Sequence, residues 1–244
     1  KGKKVIKIHE IFSFIEKNKK KISAVIHMGA ISATDETNLE LLLNNNYLYS
    51  LKLFNICNKY SIKFIYASSA ATYGNSFDYD DENSFDNFLK LKPINYYGLS
   101  KHLFDLHILS LIKSGEKLGS NPVGLKFFNV YGPNELHKGF MMSPIPKFLK
   151  EIQMTKKLKL FKSHHKKFAD GKQSRDFIYI NDCVKVIVWL LKKRKLTGIY
   201  NVGTGKSRTF YDLAKTVFKN VKLKPNINYV PTPNRIRNGY QYYT

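Results

Sequence analysis

Tyr97-Gly98-Leu99-Ser100-Lys101 sets a phenol and an ammonium four residues apart, a spacing that puts both on one face of a helix. A cation beside a phenol favours the phenolate, so the pair is expected to act as a general acid/base below the phenol's ordinary pKa of about 10. Upstream, the apolar run Phe64-Ile65-Tyr66-Ala67 leads into Ser68-Ser69-Ala70-Ala71-Thr72-Tyr73-Gly74. A hydroxyl at the C-terminal end of a buried strand faces the crevice in which open α/β sheets hold ligands. Ser69 therefore joins Tyr97 and Lys101 as a candidate. The alternative is a Ser-rich loop that only caps the next turn.

Strands and helices must alternate to bring these groups together. Residues 24–28 read as a buried strand ending at Gly29, and residues 39–59 carry helical apolar spacing. A strand at 63–67, a helix at 96–113 and a strand at 123–128 follow. Asn181-Asp182 is expected to cap a helix carrying Val184, Ile187, Val188 and Leu191. A short strand at 199–202 and a helix near 211–219, capped by Thr209 or Ser207, complete the pattern. Near-continuous apolar strands separated by helices predict an α/β fold with a doubly wound, Rossmann-type parallel sheet. After about residue 140 prolines punctuate a looser pattern. That predicts residues 1–140 as an α/β domain to which some later segments return, and residues 141–244 as mostly a smaller lobe over the C-terminal ends of the strands, where such sheets bind ligands.

Composition limits the partners. Forty-one basic against 18 acidic residues give a net charge of +23, which a nucleic-acid binder could carry. Only five of the basic residues are arginines, and the lysines are scattered along the chain. Solvated faces are the simpler account, and no nucleic-acid partner is expected. No run reaches the roughly 18 apolar residues of a membrane helix, and no leader precedes the first strand, so a cytoplasmic location and no membrane partner are expected. Cys57 and Cys183 read as core fillers, and the single Trp189 as a core residue. Gly203-Thr204-Gly205-Lys206-Ser207 resembles the end of a P-loop, but the position that needs its first glycine holds Tyr200. His137, His164 and His165 lack partners at ligand spacing, so no metal is expected.

Longer stretches then make the pattern specific. His27-Met28-Gly29-Ala30-Ile31-Ser32, Asn44-Asn45-Asn46-Tyr47, the strand-end run Tyr66 to Gly74, the Tyr97–Lys101 motif and Phe127-Phe128-Asn129-Val130-Tyr131-Gly132-Pro133 resemble the nucleotide-sugar branch of the extended short-chain dehydrogenase/reductases. Glu135-Leu136-His137-Lys138-Gly139 and Arg175-Asp176-Phe177-Ile178-Tyr179 are most similar to the epimerases in it that act on ADP-linked sugars. The resemblance covers essentially the whole chain.

It implies that Tyr97 and Lys138 are two acid/base residues, one for each face of an ADP-sugar. Lys101 would orient the cofactor ribose, and Ser69 would hydrogen-bond the reacting oxygen. Met28, Gly29, Ala30, Ile31, Ser32, Asn45, Lys101 and Val130 would line NADP. Asn129, His137, Phe140, Lys147, Phe161, Lys162, Ser163, His164, Arg175 and Tyr240 would hold the substrate. Arg175 suits that role, because a guanidinium binds a diphosphate bidentately. A homo-oligomer is also implied.

The chain departs from the family at its front. Members begin with a strand and a Gly-x-x-Gly-x-x-Gly turn that seats a pyrophosphate on a helix N-terminus. Here the first glycine after Gly2 is Gly29, and the first residue is Lys1, which reads as a fragment lacking a front segment and a piece beyond Thr244. The missing turn would carry the choice between NADP and NAD. A 4,6-dehydratase would place an Asp-Glu pair where this chain has Ala70-Ala71, and 4-epimerases generally lack the His-Lys-Gly run.

Overall fold

The computed structural model describes residues 5–76 and 83–237, apart from the side chains of Phe140, Arg235 and Ile236. Four strands, β1 (Ala24–His27), β2 (Lys63–Ser69), β3 (Val123–Phe127) and β7 (Gly198–Val202), form one parallel sheet in the order β1-β2-β3-β7. Side chains alternate across a strand, and β2 uses both directions. Phe64 and Tyr66 pack with Phe54, Phe104 and Ile108, which come from α3 (Tyr49–Lys59) and α5 (Tyr96–Lys113). Ile65 packs on the other face with Val123, Leu125, Ile178, Cys183 and Leu190; the last two belong to α7 (Ile180–Lys192). Helices therefore cover both faces, and the sheet is doubly wound.

The helix expected at 39–59 is present with an irregularity. α2 (Leu39–Leu42) runs through a π-helical stretch, Leu43–Leu48, into α3. The wider turn brings Asn46, 1% exposed, to face the interior; such turns often mark functional sites. α5 spans the expected residues. Its N-cap Asn95 accepts a hydrogen bond from the Gly98 amide at 2.8 Å.

Two expectations differ from the structure. Helix α7 begins at Ile180, with Tyr179 in the cap position and no side-chain cap; Asp182 falls in the first turn and pairs with Lys185 at 2.9 Å. Asn181-Asp182 is thus inside the helix, where an acidic side chain still suits the N-terminal dipole. Trp189 is 50% exposed rather than core. Helix α7 buries only the stripe through Cys183 and Leu190, leaving Val184, Val188 and Trp189 outward.

After β4 (Asn129–Tyr131) the chain builds a second core. Phe148 and Ile152 of α6 (Pro144–Thr155) pack with Leu158 and Leu160 of β5 (Leu158–Phe161) and with Ala214, Val217 and Phe218 of α8 (Phe210–Asn220). Strand β5 pairs in parallel with β9 (Ile227–Val230). A small sheet, β4-β6-β8, uses β6 (Ser174–Tyr179) and β8 (Ser207–Thr209). Thr209 caps α8, accepting from the Asp212 amide at 3.0 Å.

Candidate active site

Strand β2 runs into a 310 turn, Ala70–Tyr73, and helix α5 lies across this corner. Gly98 makes the close approach possible. A Cβ there would stand 2.6 Å from the Ala71 carbonyl oxygen, so no larger residue fits beside Tyr97 without moving the helix. The Ser69 hydroxyl hydrogen-bonds the Tyr97 phenol and accepts from the Ala71 amide at 3.1 Å. The Lys101 ammonium, 5% exposed, donates to the Ala67 carbonyl at 2.8 Å. The structure therefore brings Ser69, Tyr97 and Lys101 to one strand end.

The electrostatics differ from the simple expectation of a lowered phenol. Burial pushes the Tyr97 phenol above its ordinary value, the Ser69 hydrogen bond opposes this, and the Asp105 carboxylate adds to it. Burial also lowers the Lys101 ammonium to about 8, against the pull of Asp105. Taking a charge out of water disfavours its ionised form, and here that outweighs the attraction between neighbours. Tyr97 thus rests as a neutral phenol, able to give a proton.

The loop after β1 holds Met28, Gly29, Ala30 and Ser32 exposed and Ile31 half-buried. Asn46 clamps it: its side chain accepts from the Ile31 amide and donates to the Ile31 carbonyl, both at 2.9 Å. The same amide group donates to Ser100 at 3.0 Å, and the Ser100 hydroxyl donates to the Tyr97 carbonyl at 2.7 Å. Asn46 so ties the loop to α5. The sequence-predicted Asn45 is exposed and bonds within its own helix, to the Leu41 carbonyl at 2.8 Å. Ser50 extends the link, donating to the Asn46 carbonyl at 2.6 Å and contacting His27 at 2.9 Å. Burial lowers the His27 imidazole to about 4.

Lys138 sits on a 310 turn, Leu136–Met141, with a half-exposed side chain. Glu135 organises this loop. Its carboxylate accepts from the Gly132 amide at 3.0 Å and from the Ser143 amide and hydroxyl, both at 2.8 Å, and lies 3.7 Å from Lys138. These donors hold it below the usual carboxylate range despite burial. His137 is exposed on the same turn; Asn129 and Val130 are half-buried on β4, and Asn129 donates to the Asp176 carbonyl at 3.3 Å.

Lys147 and Phe161 line one cavity of about 350 Å³, with Gln173, Phe210 and Val230 among its other walls. Arg175, 9% exposed, stacks over the Phe210 ring at 5.7 Å. Lys162 bonds through its amide to the Val230 carbonyl at 2.7 Å, Ser163 through its amide to Asp170 at 2.7 Å, and His164 accepts from the Thr232 amide at 3.2 Å. Tyr240 and the Phe140 side chain lie outside the described residues. Sequence reasoning missed Asn46, Asp105, Glu135 and Phe210 as members of these clusters. Asp105, four residues after Lys101 on the same helix, was the one that spacing could have found.

The NAD dependent epimerase/dehydratase family matches residues 6–203. The ADP-L-glycero-D-manno-heptose-6-epimerase of Nitratidesulfovibrio vulgaris is 46% identical over 224 residues, 91% of this chain and 67% of that protein. The protein of the same name from Fusobacterium nucleatum is 41% identical over 94% of this chain and 70% of its own length. The crystal structure of the Helicobacter pylori ADP-L-glycero-D-manno-heptose-6-epimerase superposes with a TM-score of 0.73 at 29% identity, covering 89% of this chain and 64% of that one. The chain thus spans about two thirds of the length of these proteins.

Proposed function

The chain belongs to the NAD dependent epimerase/dehydratase family, and from that premise we propose that it inverts carbon 6 of the heptose in an ADP-glycero-manno-heptose, for the heptose of a lipopolysaccharide core. The observation that carries this reading is the Ser69–Tyr97–Lys101 cluster at the end of β2, in a chain 46% identical to a protein named for that epimerisation.

A nicotinamide dinucleotide, NADP on this reading, suits the residues present. Gly29, in the loop after β1, has nothing within 4 Å of where a Cβ would sit, and Lys101 offers an ammonium at the end of β2. Met28, Gly29, Ala30, Ile31, Ser32, Asn45, Lys101 and Val130 would hold it. When bound, the dinucleotide would supply a reversible hydride acceptor for the sugar carbon, so that no net oxidation would result.

The protein's own groups move the proton. Tyr97 exchanges the carbon-6 hydroxyl proton on one face of that exocyclic carbon, with Ser69 holding the reacting oxygen. Lys138 does the same on the other face, its ammonium kept beside Glu135. The cavity lined by Lys147 and Phe161 receives the nucleotide portion, and Arg175 answers the diphosphate charge; Asn129, His137, Phe140, Lys162, Ser163, His164 and Tyr240 complete the substrate contacts. Residues 1–140, with β7 and α7, serve the cofactor, and the remainder of 141–244 serves the substrate. The same reading makes the enzyme a cytoplasmic homo-oligomer.

Incubation of the protein with NADP and one carbon-6 epimer of the ADP-heptose, followed by NMR, tests the assignment. Conversion to a mixture of both epimers is expected. An unchanged heptose, alongside inversion of a UDP-hexose at carbon 4, would instead make it a 4-epimerase.

A further inference from the structure

Three consecutive residues at the end of β2 each engage one of three residues on the same face of α5. Ser69 bonds Tyr97, the Ala67 carbonyl bonds Lys101, and the Ser68 hydroxyl donates to Asp105 at 2.6 Å. Positions 97, 101 and 105 are successive i, i+4 neighbours, so three rungs of contact, not in sequential register, join one helix face to the strand end. The last rung lies deepest. Asp105 and Lys126 are 0% and 1% exposed, and their side chains pair at 2.7 Å. Asp105 also accepts from the Tyr66 hydroxyl at 2.9 Å, and Lys126 donates to Thr72 in the turn after β2. Gly124 on β3 leaves room for this arrangement, since a Cβ there would stand 2.5 Å from the Tyr66 hydroxyl.

A buried ion pair gives little net stability compared with apolar side chains of similar size. Its place beneath the phenol and ammonium therefore asks for another account. We propose that Asp105, held by Lys126, is a positioning residue for the Tyr97–Lys101 pair: it fixes the register of α5 on β2 and supplies the negative charge that Lys101 faces inside the protein. The proposal rests on Tyr97 and Lys101 being the acid/base pair of the proposed function. Burial alone drives the Lys101 ammonium toward its neutral form, and Asp105 opposes that. Among the described residues, the other titratable groups around this cluster are Tyr66 from β2, Tyr73 from the turn, Lys126 from β3, His27 from β1, and Tyr97 and His102 from α5 itself. Of these His27 also feels the Lys101 charge, and His102 those of Asp105 and Lys126.

The test follows Lys101 without substrate or cofactor. Lysine labelled with carbon-13 at Cε is titrated by NMR, and the Lys101 resonance is assigned by its loss in Lys101→Arg. Asp105→Asn leaves Lys126 buried without its counter-charge and is expected to unfold readily. The deciding variant is therefore Asp105→Leu/Lys126→Met, which removes both charges and keeps bulk. Its Lys101 midpoint is expected below the parent's, with the alkaline limb of epimerase activity moving the same way and activity at pH 8 falling several-fold, ~5-fold for a one-unit drop. Asp105→Glu should restore the parent's midpoint. A folded double variant with the parent's midpoint and pH profile overturns the proposal. Should the double variant not fold, Ser68→Ala decides instead by removing one rung: a kcat lowered several-fold with KM unchanged is expected, and a parental kcat overturns the proposal. The NMR midpoint stands whatever the heptose assay returns, so the two readings fail separately.

Discussion

Tyr97 and Lys138, the two proposed proton-transfer groups, occupy opposite surroundings. Tyr97 rides on a helix of 18 residues whose Gly98, Ser100, Lys101, His102, Phe104 and Asp105 are all buried. Its position is set by the packing of that helix against a parallel strand. Lys138 hangs from a short 310 turn, 47% exposed at its side chain, and its loop is gathered by the single carboxylate of Glu135. The first site is fixed by the core, so disturbing it disturbs stability. The second is fixed by one hub of hydrogen bonds, so its chemistry can be altered with little cost to the fold.

Tyr97→Phe tests the buried side most sharply. Loss of a positioned acid/base is expected to lower kcat by about 10²–10⁴ while the melting temperature stays close to the parent's, because ring packing survives. Epimerase kinetics and a thermal melt check both parts. Lys138→Met should reduce kcat by about 10² or more, again without a change in melting; a variant with parental kcat would remove Lys138 from the mechanism and leave a one-sided site. Gly98→Ala should affect both quantities, since its new methyl meets the Ala71 backbone. Overpacking of this kind costs roughly 1–3 kcal/mol, read by denaturant unfolding, with activity falling alongside. If Gly98→Ala changed activity alone, the link between core packing and the Tyr97 site would be broken.

Acid sharpens the contrast further. His27 and His102 are buried, and burial lowers each imidazole from its ordinary 6.5 to about 4. The unfolded chain takes up these protons as pH falls through 6.5, whereas the folded protein resists until about 4. Stability is therefore expected to fall across that window, by on the order of 2 kcal/mol for each histidine between pH 7 and pH 5. Denaturant unfolding at the two pH values measures it, and His102→Asn should remove part of the slope. Glu135→Gln is expected to lower kcat a few-fold, because Lys138 loses the charge it faces, and to cost about 1–3 kcal/mol of stability, because the amide oxygen replaces only one of the two accepting oxygens and the NH2 group meets the Gly132 or the Ser143 amide N–H.

Much of this arrangement was legible in the residues. The strand at 63–67, the helix at 96–113 and the Ser69–Tyr97–Lys101 layout follow from apolar runs and from spacing along single elements. Asn46 was not legible, because its neighbour Asn45 has the same chemistry, and only the π-helical stretch turns one inward and leaves the other exposed. Trp189 misled for a related reason: apolar periodicity marks a helix but not how wide a stripe of it the sheet will cover. The raised Tyr97 phenol was missed because proximity of charges is visible in spacing, whereas desolvation is not.

By itself the sequence determined the order of strands and helices, the helix face shared by positions 97, 101 and 105, and the family to which the chain belongs. These rest on local periodicity and on motifs read within a few residues. Only the tertiary structure decided that Asp105 meets Lys126 across 21 residues, that Glu135 gathers Gly132 and Ser143, and that Phe210 comes to stack under Arg175. Such pairings depend on how twisted strands and packed helices close in space, and the strength of each charge inside depends on the water that closure removes.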